Sequence, residues 1–182
     1  IWFSSPCNPS GMLYSKEELR ALADVLVDYP NIIVVSDEIY EHIYYEGEHI
    51  PIATIDGMRD RTITISGLSK TFSVTGWRIG TIIASPSLTN AIRKVHDFLT
   101  VGAPAPLQEA CAVGLEELGN NYYKSIIKDY RIRRDTLYNG LVETGFKCSK
   151  PQGAYYLLAD FSNLSEDDDD TFSRVLARDA GV

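Results

Sequence analysis

The sequence predicts an α/β fold: helices on both faces of a mostly parallel sheet, three layers deep, followed by the beginning of a smaller α+β unit. Three observations predict it. Short β-branched runs alternate with helical patterns over the first hundred residues, the signature of strand–helix–strand units. Strand-like runs end on polar residues suited to binding, and such sheets bind ligands at the carboxyl ends of their strands. From about residue 105 the pattern turns helical and stays so for nearly forty residues, which fits a long helix leaving the sheet.

The elements follow in order. Ile1 to Ser4 reads as a buried strand, and Ser5-Pro6-Cys7-Asn8-Pro9-Ser10-Gly11 as a loop dense in turn formers. The Asn8-Pro9 bond is a cis candidate. Ser15 with Glu18 three residues later is a capping box. The helix it opens places Leu19, Leu22, Ala23, Leu26 and Val27 on one face. Asn31 to Ser36 suits a strand buried on both faces, ending at Asp37-Glu38. Arg61 to Ser66 and Trp77 to Ala84 are further strands, and Pro86 sits near the first position of a helix reaching Leu99. Leu107 to Leu118 and Tyr122 to Glu143 are helices, the second with Tyr123, Ile126, Ile127, Tyr130, Leu137 and Leu141 at helical spacing. Gly153 to Asp160 is then a strand, and a last helix starts near Thr171 behind the acidic run Glu166–Asp170.

Composition excludes several classes of function. Charged residues make up 23% and apolar residues 45%, which affords a core. A net charge of −8 argues against nucleic acid, whose phosphates need a basic face. No apolar run approaches the ~20 residues of a membrane helix. The three cysteines, Cys7, Cys111 and Cys148, form no CxxC or Cys/His cluster, so no metal site is expected and reduced thiols in a cytoplasmic protein are. His42, His49 and His96 show no metal or triad spacing. The opening on an apolar run and the ending just past a helical pattern read as a segment of a longer polypeptide.

The strongest signal is Gly67-Leu68-Ser69-Lys70-Thr71-Phe72-Ser73-Val74-Thr75-Gly76-Trp77-Arg78-Ile79-Gly80: one lysine after a strand, small hydroxyl residues before it, an arginine eight positions on. The stretch resembles the lysine signature of class I/II pyridoxal-phosphate aminotransferases, which share the aspartate aminotransferase fold. Asn8-Pro9-Ser10-Gly11 resembles the family's Asn-Pro-Thr/Ser-Gly loop, and Asp37-Glu38-Ile39-Tyr40 its Asp-x-x-Tyr element. Pro151-Gln152-Gly153-Ala154-Tyr155-Tyr156 resembles a strand of the family's small domain. The matches keep the family's order and span essentially the whole chain.

The resemblance implies residues 1–121 as the C-terminal part of the large cofactor-binding domain and 122–182 as a linker helix with the first part of the small domain. It implies pyridoxal 5′-phosphate as cofactor, amino acids and 2-oxo acids as substrates, and a homodimer, with Val101 to Gln108 near its interface. Lys70 would form a Schiff base with the cofactor and move the substrate's α-proton. Asp37 would pair with the pyridine nitrogen; as residues alone, it could equally be the N-cap of a following helix. Tyr40 and Asn8 would hydrogen-bond the phenolic oxygen, the alternatives being a core aromatic and a turn former. Arg78 and Ser69 would hold the phosphate. Many family members carry serine where this chain has Gly67, so Ser66 or a backbone N–H is an alternative phosphate contact. The family's N-terminal phosphate loop, stacking aromatic and α-carboxylate arginine match nothing here, so the segment alone is expected to be inactive. Two other readings share these motifs: another reaction on the scaffold, such as C–S β-elimination, and a ligand-sensing domain of a transcription regulator.

Overall fold

A computed structural model describes all 182 residues. Four strands form one sheet in the order β1 (Trp2–Ser4), β2 (Val34–Asp37), β3 (Thr62–Gly67), β4 (Gly80–Ile83). β1, β2 and β3 run parallel and β4 returns antiparallel to β3, so the sheet is mostly parallel. Parallel neighbours need a long crossover. Helix α1 (Lys16–Val27) supplies the first. The second, from Asp37 to Thr62, contains only two short 3₁₀ turns, Ile52–Thr54 and Arg59–Arg61.

Local sequence explains the helix boundaries. Ser15 accepts from the Glu18 N–H while the Glu18 carboxylate accepts from the Ser15 N–H, closing the capping box at the start of α1. The single turn α2 (Leu68–Thr71) follows β3 directly. Helix α3 (Pro86–Leu99) carries its proline at the first turn. Helix α4 (Ala105–Glu117) and the 24-residue α5 (Asn120–Glu143) come next, the latter stopped before Gly145, whose φ of +100° suits only glycine comfortably. Helix α6 (Asp169–Val175) begins where the Asp168 side chain accepts from the Thr171 N–H, which gives the acidic run a capping role. No helix is long and apolar enough to cross a membrane.

The apolar residues gather in three clusters. Leu19, Ala23 and Leu26 of α1 pack on Val34, Ile52, Ile55 and Met58. Tyr40, Ile43 and Tyr45 close on Ala154, and Leu68 and Ile79 on Cys111 of α4. Several expectations need correction. Ile1 and Trp2 at the first strand are exposed rather than buried. The strand expected from Trp77 begins only at Gly80, because Thr75–Trp77 closes a 3₁₀ turn and Arg78 is left-handed. Val27 is exposed, because the helix ends there and its last turn passes the edge of the packed face. β2 starts at Val34, three residues late, because Ile32 N–H is drawn to the Tyr29 carbonyl in a turn. The strand expected from Gly153 to Asp160 reduces to β6 (Ala159–Asp160), paired with β5 (Lys147–Cys148). The N–H groups of Gln152, Gly153 and Ala154 are taken by loop carbonyls instead, and Ala154 has a φ of +56°.

Candidate active site

The parallel register sets three strand ends side by side. Ser4 pairs with Asp37 and Asp37 with Ile65. Just beyond, Ser5 N–H donates to the Asp37 carbonyl at 3.1 Å and Glu38 N–H to the Ile65 carbonyl at 2.7 Å. Asn8, Asp37 and Lys70 therefore leave the sheet from adjacent strands. Asn8 stands exposed in the tight turn from Cys7 to Gly11, and its bond to Pro9 is cis. No helix follows Asp37; its carboxylate accepts from the Ile39 N–H at 3.2 Å, a local turn that leaves the second oxygen free. Tyr40 is buried, and its hydroxyl donates to the Tyr156 hydroxyl at 2.8 Å. It is thus a core aromatic with a polar handle. Burial first, then the contacts with Tyr156 and Tyr155, push its phenol far above the ordinary tyrosine range.

Lys70 lies in the single turn α2, immediately past β3. Gly67 allows the approach. Its backbone is extended, and a Cβ there would meet the tip of Ile39 at 2.6 Å, with the Ile79 carbonyl at 3.4 Å. The Lys70 Nζ sits over the Tyr155 ring, 5.5 Å from its centre, and forms no ion pair. Burial raises the Tyr155 phenol, but the neighbouring Lys70 amine and the Tyr40 and Tyr156 hydroxyls outweigh it and hold the group below its usual value. Lys70 and Ser69 open onto a cavity of about 360 Å³ whose other walls include Ser73, Thr75, Tyr130, Arg133, Tyr155 and Tyr156.

The remaining predicted residues are distributed around this cavity rather than in its lining. Tyr40 backs the wall through Tyr155 and Tyr156, with ring centres 5.2 and 5.7 Å away. Asn8 and Asp37 stand at the strand ends, outside the lining. Arg78, in left-handed backbone at φ +56°, donates once, to the Thr75 carbonyl at 3.1 Å, leaving the rest of its fork open to solvent. Ser66, the alternative to Ser69, is committed elsewhere: its hydroxyl donates to the Glu41 carboxylate. The donor set fits a small phosphorylated pyridine aldehyde. It offers an amine with no ion-pair partner, a carboxylate at a neighbouring strand end, buried phenols and an open guanidinium.

Sequence reasoning missed two features. Glu38, directly after Asp37, is buried and bonded to Ser36 Oγ at 2.8 Å and to His49 Nε2 at 2.9 Å. His49 Nδ1 is buried without a partner. No local pattern announces that pairing, since the two residues are eleven apart with no regular element joining them. The aromatic run Tyr130–Tyr155–Tyr156 was visible only in separate pieces, Tyr130 on the face of the long helix and the other two beside the Pro-x-Gly motif, with nothing to show that they meet.

That motif closes against the Asn8–Gly11 loop. Gln152 and Gly153 N–H groups both donate to the Gly11 carbonyl at 2.9 Å, and Leu13 N–H donates to Gln152 Oε1 at 3.1 Å. Gly11 has a φ of +69°, and a Cβ on it would fall 2.3 Å from Pro151 Cβ. From α5, the buried Arg134 guanidinium donates to the Pro151 carbonyl at 2.9 Å and lies over the Tyr45 ring at 4.5 Å.

The family described as Aminotransferase class I and II matches residues 1–182. Kynurenine–oxoglutarate transaminase of Dictyostelium discoideum is 42% identical over 167 residues, covering 90% of this chain and 38% of that protein. The solved structure of N-succinyldiaminopimelate aminotransferase from Mycobacterium tuberculosis superposes with a TM-score of 0.94 at 37% identity, covering 100% of this chain and 47% of that one. YbdL from Escherichia coli, in which a methionine aminotransferase function was identified, gives 0.93 at 33% identity, again covering 100% of this chain and 47% of that one. The chain thus spans less than half the length of these relatives. A match over every residue, with the fold and the motif order agreeing, leaves one conclusion: the chain belongs to the class I and II aminotransferase family.

Proposed function

We propose that the chain is the cofactor-holding part of a pyridoxal-phosphate-dependent aminotransferase that moves an amino group between an amino acid and a 2-oxo acid. The observation that carries this reading is the Lys70 amine, free of any ion pair, at the mouth of a cavity beside three converging strand ends. When bound, the cofactor supplies an electron sink for the substrate's α-carbon.

The chain's own residues do the rest. Lys70 anchors the cofactor and carries the proton to and from the α-carbon. Its contact with Tyr155 supports the second task, because a phenol held below its usual range is a ready proton partner. Asp37 keeps a carboxylate oxygen free for a cationic ring nitrogen. Tyr40 and Asn8 serve the phenolic oxygen, Tyr40 in exchange for its hydrogen bond to the Tyr156 hydroxyl. Arg78 and Ser69 take the phosphate, in preference to Ser66, whose hydroxyl is already used. Residues 1–121 act as the large-domain part and 122–182 as the linker helix and the start of the small domain. The working protein is a homodimer, with the Val101–Gln108 stretch near the interface. Its three free cysteines fit the reducing cytoplasm.

The test uses the full-length protein loaded with pyridoxal phosphate, reduced with borohydride and mapped by mass spectrometry. The reading expects the pyridoxyl group on Lys70 and a visible spectrum that bleaches with amino acids. A label on any other residue, or none in a protein that binds the cofactor, would sink it.

A further inference from the structure

Lys70 sits in a helix of a single turn, and a turn that short does not hold itself. Nucleating a helix fixes more backbone than its first bonds repay, and the carbonyls at its end need partners from elsewhere. Two side chains supply them. The Thr75 hydroxyl donates to the Ser69 carbonyl at 3.1 Å, and the Tyr122 hydroxyl donates to the Thr71 carbonyl at 2.8 Å. Thr75 belongs to the same loop. Tyr122 stands in the first turn of α5, 51 residues beyond Thr71. Apolar packing doubles the contact. Phe72 closes the turn, its N–H donating to the Leu68 carbonyl at 2.9 Å, and its ring centre is 5.9 Å from that of Tyr122. Phe72 also abuts α4 at Gly114, where a Cβ would fall 3.1 Å from the ring. The amine end of Lys70 meets the same helix. Its Nζ lies over Tyr155, which stacks on Tyr130 with centres 5.6 Å apart. Tyr122 and Tyr130 are separated by about 12 Å along the axis of α5. One helix therefore supports Lys70 at both ends, at the backbone through Tyr122 and at the ammonium through Tyr130 and Tyr155.

We propose that Tyr122 is a positioning residue for Lys70: its hydroxyl, held on the Thr71 carbonyl, fixes the turn from which the lysine amine is aimed. This rests on the reading of Lys70 as the group that moves the α-proton, and it adds the residue that directs that group. Tyr122 lines no part of the cavity and acts through the backbone alone. Proton transfer to and from carbon depends on the aim of the amine, and a displacement of about 1 Å is enough to slow such a step severely. Substrate binding does not share that dependence.

The test uses the full-length protein with Tyr122→Phe, which keeps the ring and removes the hydrogen bond. Tyr123→Phe is the control, because that hydroxyl makes no hydrogen bond to the Lys70 turn and its ring rests on His42, 4.6 Å between centres. Turnover of the holoenzyme at saturating amino acid, ordinary and deuterated at the α-carbon, reports the proton step. The apparent dissociation constant of the amino acid, read from the visible cofactor spectrum, reports binding. Amide exchange at Phe72 in the apoprotein reports the turn itself. In Tyr122→Phe an ordinary hydrogen bond is lost, so exchange at Phe72 quickens by roughly 2- to 10-fold. Turnover falls by roughly 3- to 30-fold and the isotope effect grows, while the dissociation constant stays within about twofold. Tyr123→Phe moves none of these. Quicker exchange with turnover and isotope effect unaltered would make the bond structural only and overturn the proposal. So would a loss confined to amino-acid affinity. If the native holoenzyme transaminates no amino acid, the transaminase reading fails and the proposal falls with it, although exchange at Phe72 would still register the hydrogen bond.

Discussion

The Lys70 ammonium lies over the face of Tyr155, 5.5 Å from its centre, and the same ring packs against Tyr40 and Tyr156, with centres 5.2 and 4.9 Å away. Burial alone would raise Tyr155 above its reference value of 10.0; the surrounding donors bring it below. A phenolate titration of the apoprotein, taken as the difference between native and Tyr155→Phe, therefore has its midpoint under the reference. Lys70→Ala removes the foremost opposing contact and moves the midpoint upward. A midpoint above the reference in the native protein, or no movement in Lys70→Ala, contradicts the pairing.

Gly11 tests the seam between the first loop and the Pro151–Ala154 segment. Gly11→Ala places a Cβ 2.3 Å from Pro151 Cβ on backbone at φ +69°. Left-handed backbone costs an L-residue about 1–2 kcal/mol, and the overlap about 1–3 kcal/mol more. Denaturant unfolding should register a loss in that combined range. Gly76→Ala is the control, since nothing lies within 4 Å of its Cβ. Equal stability for the two variants would show that the seam does not bear on the fold.

The Glu38–His49 pair is buried on both sides, with side chains only 2% and 6% exposed. Glu38→Leu strands His49 and Ser36 together, and breaking a buried pair from one side costs about 3–5 kcal/mol. Glu38→Leu with His49→Leu removes both and regains much of the loss. Urea midpoints of the two single variants and the double variant measure the coupling, and strictly additive losses would deny it.

Tyr45 supplies a pH dependence. Burial pushes its phenol up to about 12, with Arg134 and Arg131 pulling it back in part. The folded protein holds this proton more tightly than the unfolded chain, where tyrosine titrates near ~10. Its contribution is complete below about pH 10 and is lost as pH rises toward about 12. The native protein should lose stability across that window more steeply than Tyr45→Phe. Parallel curves would rule the burial effect out.

Much of this architecture is legible in the sequence because it rests on local chemistry. The capping box at Ser15, the proline at Pro86 and the stop at Gly145 each fix a boundary with a few neighbouring atoms. The strand-end placement of Asp37 and Lys70 follows from period and order alone. What failed to show is what depends on distant partners. The Gly153–Asp160 run reads as a strand, yet its first N–H groups go to Gly11 and Ile43. His49 reads as one more unremarkable histidine until the second crossover folds it back onto Glu38. Arg133 carries no motif at all; only the fold sets it on Tyr130 and beside the cavity of Lys70.

The hydrogen bond from Leu13 to Gln152 joins residues 139 apart. Closing a loop of that size costs on the order of 4 kcal/mol of chain entropy before any contact is gained. A contact of that span is expected to form after the sheet and α5 have brought the two segments near. Once formed, it makes the two halves cooperative. Loosening Pro151–Ala154 frees the Asn8–Gly11 loop, and loosening that loop frees the tyrosines that face Lys70. A probe of backbone protection at Leu13 is for that reason a probe of order at the opposite end of the chain.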